Sequence, residues 1–173
     1  NTPSGAYSLR KVKSGYTGHA VRIRRLDDVE VNVSFDTNDE VSTSSPIENT
    51  TEQGGESGST TATTLGEFIS GTNAAVHTWY DQSGSSKNAT QISDDNQPLI
   101  AAGGSLLTAG ITFDGTDDRL DIDGYAPLSL VYSSFVVASI ESPYASGLRT
   151  IFDSSDSTNG GFSIAYGNTS NKF

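Results

Sequence analysis

Short segments in which apolar and polar residues alternate constrain the fold of this chain more than any other feature. The clearest runs from Val29 to Phe35, where every second residue is apolar, and Ala20–Arg25 repeats the pattern. A period of two places successive side chains on opposite faces of a β-strand. The Leu26–Asp28 step between the two segments is short enough for a hairpin. The sequence therefore predicts antiparallel β-structure near its beginning.

The remainder of the chain continues this pattern and predicts one short helix. Further strands are expected at Ala75–Tyr80, Pro98–Ile100, Gly110–Phe113, Arg119–Ile122, Ser134–Ile140, Thr150–Asp153 and Phe162–Tyr166. The helical turn is expected at Thr64–Ile69, where Thr64 and Glu67 have the spacing of a capping box. Between Thr37 and Thr64 the periodicity is lost, which predicts a long polar loop. The whole is typical of an all-β protein, most simply one two-sheet sandwich spanning residues 1–173.

Composition and charge narrow the class of protein. A chain of 173 residues is long enough for one buried core, and its net charge of −11 argues against general nucleic-acid binding. No apolar run reaches the roughly 18 residues that a membrane helix needs, so we expect no membrane insertion. The absence of cysteine excludes disulfides and thiolate metal sites. Because the chain lacks methionine and ends just after a strand-like run, we expect a fragment of a longer protein, truncated at its C-terminus.

The stretch from Ala75 to Gln91 holds the only tryptophan and passes from apolar alternation into a polar, turn-rich segment. Strict alternation would place Val76 and Trp79 on opposite faces of the strand. The candidate glycan-binding residues lie at its centre: Trp79, Tyr80, Asp81 and Gln82. The aromatic rings could stack on a sugar while the polar pair fixes its hydroxyl groups. Alternatively, the segment is a structural corner whose polar pair satisfies buried backbone groups.

A second candidate site is a run of carboxylates. It comprises Asp114, Asp117, Asp118, Asp121 and Asp123. Calcium takes several oxygen ligands from a flexible loop, so Ca²⁺ is the one cofactor that this run suggests. The run lacks the spacing and the terminal glutamate of an EF-hand. The alternative is that Asp114-Gly115 forms an ordinary turn and that the later aspartates line the solvent face of a strand.

Five motifs follow one another in an order that resembles a known group of folds. They are Tyr7-Ser-Leu-Arg-Lys, Tyr16-Thr-Gly-His-Ala-Val-Arg-Ile-Arg-Arg, Trp79-Tyr-Asp-Gln-Ser-Gly, Asn88-Ala-Thr-Gln and Ile111-Thr-Phe-Asp-Gly-Thr-Asp-Asp-Arg-Leu. The series resembles concanavalin-A-like (laminin-G-like) jelly-roll domains of bacteriophage virion proteins and of some bacterial surface proteins. More distantly, it is similar to the N-terminal half of the catalytic domain of arabinofuranosidase B. The resemblance implies a jelly-roll β-sandwich, a fold that serves lectins, enzymes and structural modules.

The resemblance implies a function in a phage particle. We expect a non-enzymatic structural or interaction module of the virion, in a tail fibre or on the capsid surface. Its expected partners are other virion proteins, further copies of itself and host-surface polysaccharide. The alternatives are an arabinofuranosidase-like glycoside hydrolase and a bacterial cell-surface lectin. Glycoside hydrolysis needs two carboxyl groups at a set separation, and no spacing in this chain singles out such a pair; no catalytic residue is assigned.

Overall fold

The computed structural model describes residues 5–50, 59–123, 135–139, 148–153 and 163–167. Contacts divide the chain into two compact units, Asn1–Asp123 and Gly124–Phe173. The elements of the first unit are β1 (Val21–Arg25), β2 (Glu30–Val33), β3 (Ile47–Asn49), α1 (Leu65–Ile69), β4 (Ala74–Trp79), β5 (Ala89–Thr90), β6 (Leu99–Ala102), β7 (Ser105–Leu106) and β8 (Asp121–Ile122). A 3₁₀ turn at Asp94–Asn96 precedes β6. In the second unit, β9 (Leu148–Asp153) pairs antiparallel with β10 (Ser163–Gly167).

The strands of the first unit form one antiparallel sheet. Its order is β3-β2-β1-β4-β5-β8, with β6 paired to a different stretch of β4 and β7 paired to β6. Helical residues among those described amount to α1 and the 3₁₀ turn. The prediction of an all-β protein is confirmed. Neither helical segment in the described part of the chain could span a bilayer.

Alternation in β1 and β2 builds the core as the sequence predicts. Val21 pairs with Val33 and Ile23 with Val31 across the hairpin, and all four side chains are fully buried. The turn between the strands uses Asp28 at a φ of 61°, a left-handed conformation that aspartate tolerates better than most residues. The polar residues between these positions therefore lie on the opposite face of the sheet.

The short helix α1 covers the apolar face of the sheet. Leu65, Phe68 and Ile69 are fully buried and belong to the same core cluster as the valines of β1 and β2. The predicted capping box is present, since the Thr64 hydroxyl accepts from the Glu67 amide and the Glu67 carboxylate accepts from the Thr64 amide. A single helical turn is not stable alone, so burial of its apolar face holds it in place.

A β-bulge in β4 changes the side-chain alternation that the sequence predicts for this strand. Opposite Arg22 and Ile23 of β1 stand Thr78 and Val76, so His77 is an extra residue in the ladder. A bulge shifts the side-chain alternation by one position. Val76 and Trp79 therefore both pack on the core, and the prediction that they lie on opposite faces was wrong.

The segment predicted as a loop from Thr37 to Thr64 contains β3. This strand pairs with β2, matching Ile47 with Val33. Ser45, just before it, is fully buried, and its amide and carbonyl both take part in backbone hydrogen bonds. Backbone pairing rather than apolar periodicity organises this segment, which explains why the sequence pattern missed it. Residues 51–58 lie outside the described part.

Two other predicted strands differ from the structure. In Gly110–Phe113 the pairing is a single bridge between Thr112 and Leu99. The described part of Ser134–Ile140, residues 135–139, forms no strand. Both segments are apolar enough to predict strands, but their described residues form one bridge or no β-pairing at all. Whether such a segment becomes a strand depends on a partner strand elsewhere in the fold.

Candidate functional site

Gln82 fastens the N-terminal segment to the end of β4. Its side chain is fully buried. The Oε1 atom accepts from the Val12 amide at 2.8 Å, and Nε2 donates to the carbonyls of Ser8 and Arg10 at 2.9 and 3.0 Å. The Gln82 backbone amide also donates to the Ala6 carbonyl, at 2.8 Å. The N-terminal segment lies outside the main sheet, so its backbone groups are not paired with any of the described strands. The Gln82 side chain supplies hydrogen bonds to three of them instead.

Asp81 also binds the N-terminal segment, and it binds the turn that follows β4. Its carboxylate accepts from the amides of Ala6 at 2.9 Å, Ser83 at 2.8 Å and Lys87 at 3.2 Å. The Ser83 hydroxyl donates to the second carboxylate oxygen at 2.7 Å. Burial acts to raise the pKa of Asp81, but these hydrogen bonds outweigh it and hold the pKa below its ordinary value. The carboxylate is therefore ionised and saturated by the protein itself.

Trp79 packs beside the same junction. Its ring lies 6.0 Å from the ring of Tyr7, at an interplanar angle of 56°, and contacts the edge of the core. The Tyr7 hydroxyl in turn donates to the Lys87 carbonyl. The indole nitrogen of Trp79 is buried and has no hydrogen-bond partner among the described residues. The tryptophan joins the N-terminal segment to the sheet through apolar contact.

Of the four candidate glycan-binding residues, Tyr80 alone reaches the polar side of the sheet. Its hydroxyl donates to Oδ1 of Asn32 at 2.7 Å. Asn32 lies between the buried Val31 and Val33 on β2, so its side chain belongs to the face opposite the core. The sequence motif thus divides: Trp79, Asp81 and Gln82 hold the fold, while Tyr80 belongs to a second group of side chains.

We call that group the polar face; it consists of His19, Asn32, Ser34, Glu48 and Tyr80. Asn32 of β2 pairs with Glu48 of β3 in the ladder, which brings their side chains side by side. The His19 ring lies 6.0 Å from the Tyr80 ring. Its Nδ1 is 3.1 Å from the Ser34 hydroxyl, and its Nε2 is 3.7 Å from Oε2 of Glu48. Five polar or aromatic side chains from four segments therefore converge on one face.

The backbone at His19 is held by its neighbours. The Tyr16 hydroxyl donates to the His19 carbonyl at 2.9 Å. A Cβ on Gly18 would stand 2.5 Å from that hydroxyl, so any larger residue at this position would displace the tyrosine. The Ala20 amide donates to Val33 at 2.8 Å and ties the segment to β2. His19 is consequently presented on a fixed backbone at the start of β1.

Charged pairs lie beside the polar face on the outer surface of the sheet, where Arg22 of β1 stands opposite Asn32 of β2 in the ladder. Arg22 forms an ion pair with Glu30, and both side chains are only slightly exposed. Arg24 contacts Asp28 at 2.9 Å and Asp94 at 3.1 Å. The arginines of β1 thus have acidic partners nearby, and their contacts are those of a structural network.

The carboxylate run splits in the structure. Carboxylate oxygens of Asp114, Asp117 and Asp118 can be chosen that all lie within 4.8 Å of one another. Asp114 Oδ1 also accepts from the amides of Thr116 and the two following residues, as in a tight turn.

The other two members of the run stand apart. Asp121 lies on β8 and pairs with Arg119 at 3.3 Å, and the group of three does not include Asp121 or Asp123. Burial, followed by the charges of Asp114 and Asp117, raises the pKa of Asp118 despite a hydrogen bond from the Asp114 amide. Calcium binding by the group of three stays a prediction.

The polar face was missed from the sequence for a definite reason. Asn32 was recognisable as the polar member of an alternating strand, and His19 immediately precedes such a strand. Glu48, however, lies in the segment predicted as a loop, so no register could place it beside Asn32. The signal that would have found the group is the pairing of β3 with β2.

The fold and the site define an all-β protein with a fastened corner at Trp79–Gln82 and a polar outer face. Comparison with known proteins adds no relatives: no family model matches the chain, and neither a curated protein nor a solved structure matches it.

Proposed function

We propose that this chain is a non-enzymatic structural and interaction module of a bacteriophage virion, with a jelly-roll fold. Its place would be a tail fibre or the capsid surface, in an assembly of several copies. There it would dock onto other virion proteins or contact polysaccharide on the host surface. The antiparallel sheet with one covered apolar face is compatible with half of a jelly-roll sandwich.

One observation supports the proposal most: residues from different motifs behind the resemblance contact one another and stabilise the fold. Tyr7 from the first motif contacts Trp79 from the third. Asn88 from the fourth motif accepts from the Asp81 amide at 3.1 Å through its Oδ1. Residues that hold an architecture can be shared by domains with different ligands. These contacts therefore support a resemblance in fold. We expect partners to contact other surfaces of the protein.

The direct test is composition of the particle. Particles of the phage that encodes this chain should be purified on a density gradient and analysed by mass spectrometry. The proposal predicts peptides of the chain at a fixed stoichiometry, and antibody labelling at the tail or the capsid surface in electron microscopy. Absence of the chain from infectious particles would overturn the proposal.

The enzymatic alternative has its own test. Incubation of the protein with arabinan and with host capsular polysaccharide should release no reducing sugar. Hydrolysis that is lost when a single carboxylate is replaced by its amide would instead establish a glycoside hydrolase. The bacterial lectin alternative predicts glycan retention by a protein found on cells rather than on particles.

A further inference from the structure

We infer that the polar face is a binding site for an uncharged glycan. The inference rests on the proposed function, since it assigns residues to the contact with host polysaccharide. It moves that contact away from Trp79, Asp81 and Gln82. The polar groups of Asp81 and Gln82 are engaged by the N-terminal segment and the following turn, as their hydrogen bonds show. The polar face, by contrast, has donors and acceptors directed away from the core.

His19 and Glu48 form the first element of the site. Their side chains are 29% and 71% exposed, so both reach solvent. When the Ser34 hydroxyl donates to Nδ1, the proton of the neutral imidazole sits on Nε2. One sugar hydroxyl can then accept from Nε2 and donate to the carboxylate, because the two protein atoms are 3.7 Å apart. A donor beside an acceptor at this spacing suits an alcohol, which is both.

Asn32 supplies the second element. The Tyr80 hydroxyl occupies Oδ1 of Asn32 and so fixes which way the amide is turned. Nδ2 makes no hydrogen bond among the residues that the structure describes, and it can donate to a ring oxygen or a second hydroxyl. Tyr80 acts here through Asn32 and is a positioning residue. The amide, the imidazole and the carboxylate together offer the few convergent polar groups that specify a small ligand.

Charge selects the class of glycan. Glu48 is the acidic member of the polar face, and the chain carries a net charge of −11. The nearest arginine on the same strand face, Arg22, is engaged with Glu30. An anionic sugar would meet an unfavourable potential beside the Glu48 carboxylate, and it would have to compete with Glu30 for Arg22. The site therefore fits neutral hexose or pentose polymers and disfavours uronic-acid polymers.

The experiment is binding of the whole chain to an array of neutral oligosaccharides (glucans, mannans, galactans and arabinans) together with uronic-acid polymers. We expect retention on at least one neutral glycan and none on the uronic acids. Glu48→Gln should weaken the affinity about tenfold, as loss of a charge-assisted hydrogen bond does. Asp95→Asn is the matched control, because Asp95 is an exposed carboxylate on the 3₁₀ turn. The affinity of this variant for the glycan should equal that of the wild type.

A second variant separates positioning from folding. Tyr80→Phe keeps the ring and removes the hydroxyl that orients Asn32. In the wild type, the retained glycan should shift the side-chain amide resonances of Asn32 in NMR spectra; in the variant this shift should shrink while the spectrum stays folded. Retention that Glu48→Gln leaves unchanged, equal retention of uronic acids, or no retention of any neutral glycan would overturn the inference.

These outcomes differ from failure of the proposed function. A chain that is found in virions but binds no neutral glycan loses this site and keeps its place in the particle. A chain that binds glycan through Glu48 but is absent from virions keeps the site and loses the proposed location.

Discussion

Replacing Gln82 by alanine should destabilise the protein by about 3 kcal/mol. The substitution removes three partly buried hydrogen bonds, to the Val12 amide and the carbonyls of Ser8 and Arg10. Each is worth about 1 kcal/mol net, and the three together give the total of about 3 kcal/mol. For a chain of 173 residues this corresponds to a fall in Tm of roughly 6–12 °C. Urea unfolding followed by the fluorescence of the single tryptophan measures the change directly.

Hydrogen exchange locates the effect. The Val12 amide donates to Gln82 in the wild type and should lose its protection in the variant. The Ala20 amide, which donates to Val33 at 2.8 Å, should lose protection only by the global change in stability. Asn38→Ala is the control, because it removes an exposed side-chain amide and should cost less than about 0.5 kcal/mol. A loss below 1 kcal/mol for Gln82→Ala, with Val12 still protected, would refute the fastening role of Gln82.

Four further predictions concern the helix cap, the Asp81 carboxylate and the acidic turn at Asp114–Asp118. Thr64→Ala should lower the free energy of unfolding by about 1 kcal/mol through loss of the cap, with Thr61→Ala, at an exposed residue, as the neutral control; equal effects in urea unfolding would contradict the capping role. Asp81→Asn should destabilise the protein at pH 7. Since the folded pKa of Asp81 lies below its ordinary value of 3.8, the carboxylate stabilises above that value, and unfolding curves should show the difference shrinking as pH falls through the folded pKa. Asp118→Asn should stabilise at pH 7, because the raised pKa of Asp118 disfavours its ionised form; this gain should fade as pH falls toward 3.8. If the acidic turn binds calcium, millimolar Ca²⁺ raises the Tm of the wild type, a chelator reverses the rise and Asp118→Asn abolishes it; an unchanged Tm would remove the calcium assignment.

The parts of the fold that apolar periodicity controls could be predicted from the sequence. The β1–β2 hairpin and the capped helix α1 appear where the pattern places them. Each depends on local rules: alternation, turn residues and a cap three residues from its partner. The bulge at His77 could not be predicted, because it arises from how β4 pairs with β1.

The candidate site shows the same division. The sequence singled out Trp79–Gln82 and left two interpretations open, and no local rule separates a sugar platform from a structural corner. The difference lies in long-range partners, since Ser8 and Val12 are about seventy positions from Gln82. Glu48 was missed because β3 is short and mostly polar, so the sequence pattern does not reveal it as a strand. Contacts between distant segments decide both cases.

The central claim is that Trp79, Asp81 and Gln82 hold the N-terminal segment and the turn after β4 in place and do not receive a ligand. The most direct measurement is the pKa of Asp81, followed by the carbonyl-carbon resonance of its side chain in an NMR pH titration. A carboxylate saturated by the amides of Ala6, Ser83 and Lys87 should titrate below 3.8, and a neutral glycan added at pH 7 should leave its resonance unchanged. A pKa at or above 3.8, or a resonance that moves when the glycan binds, would contradict the claim.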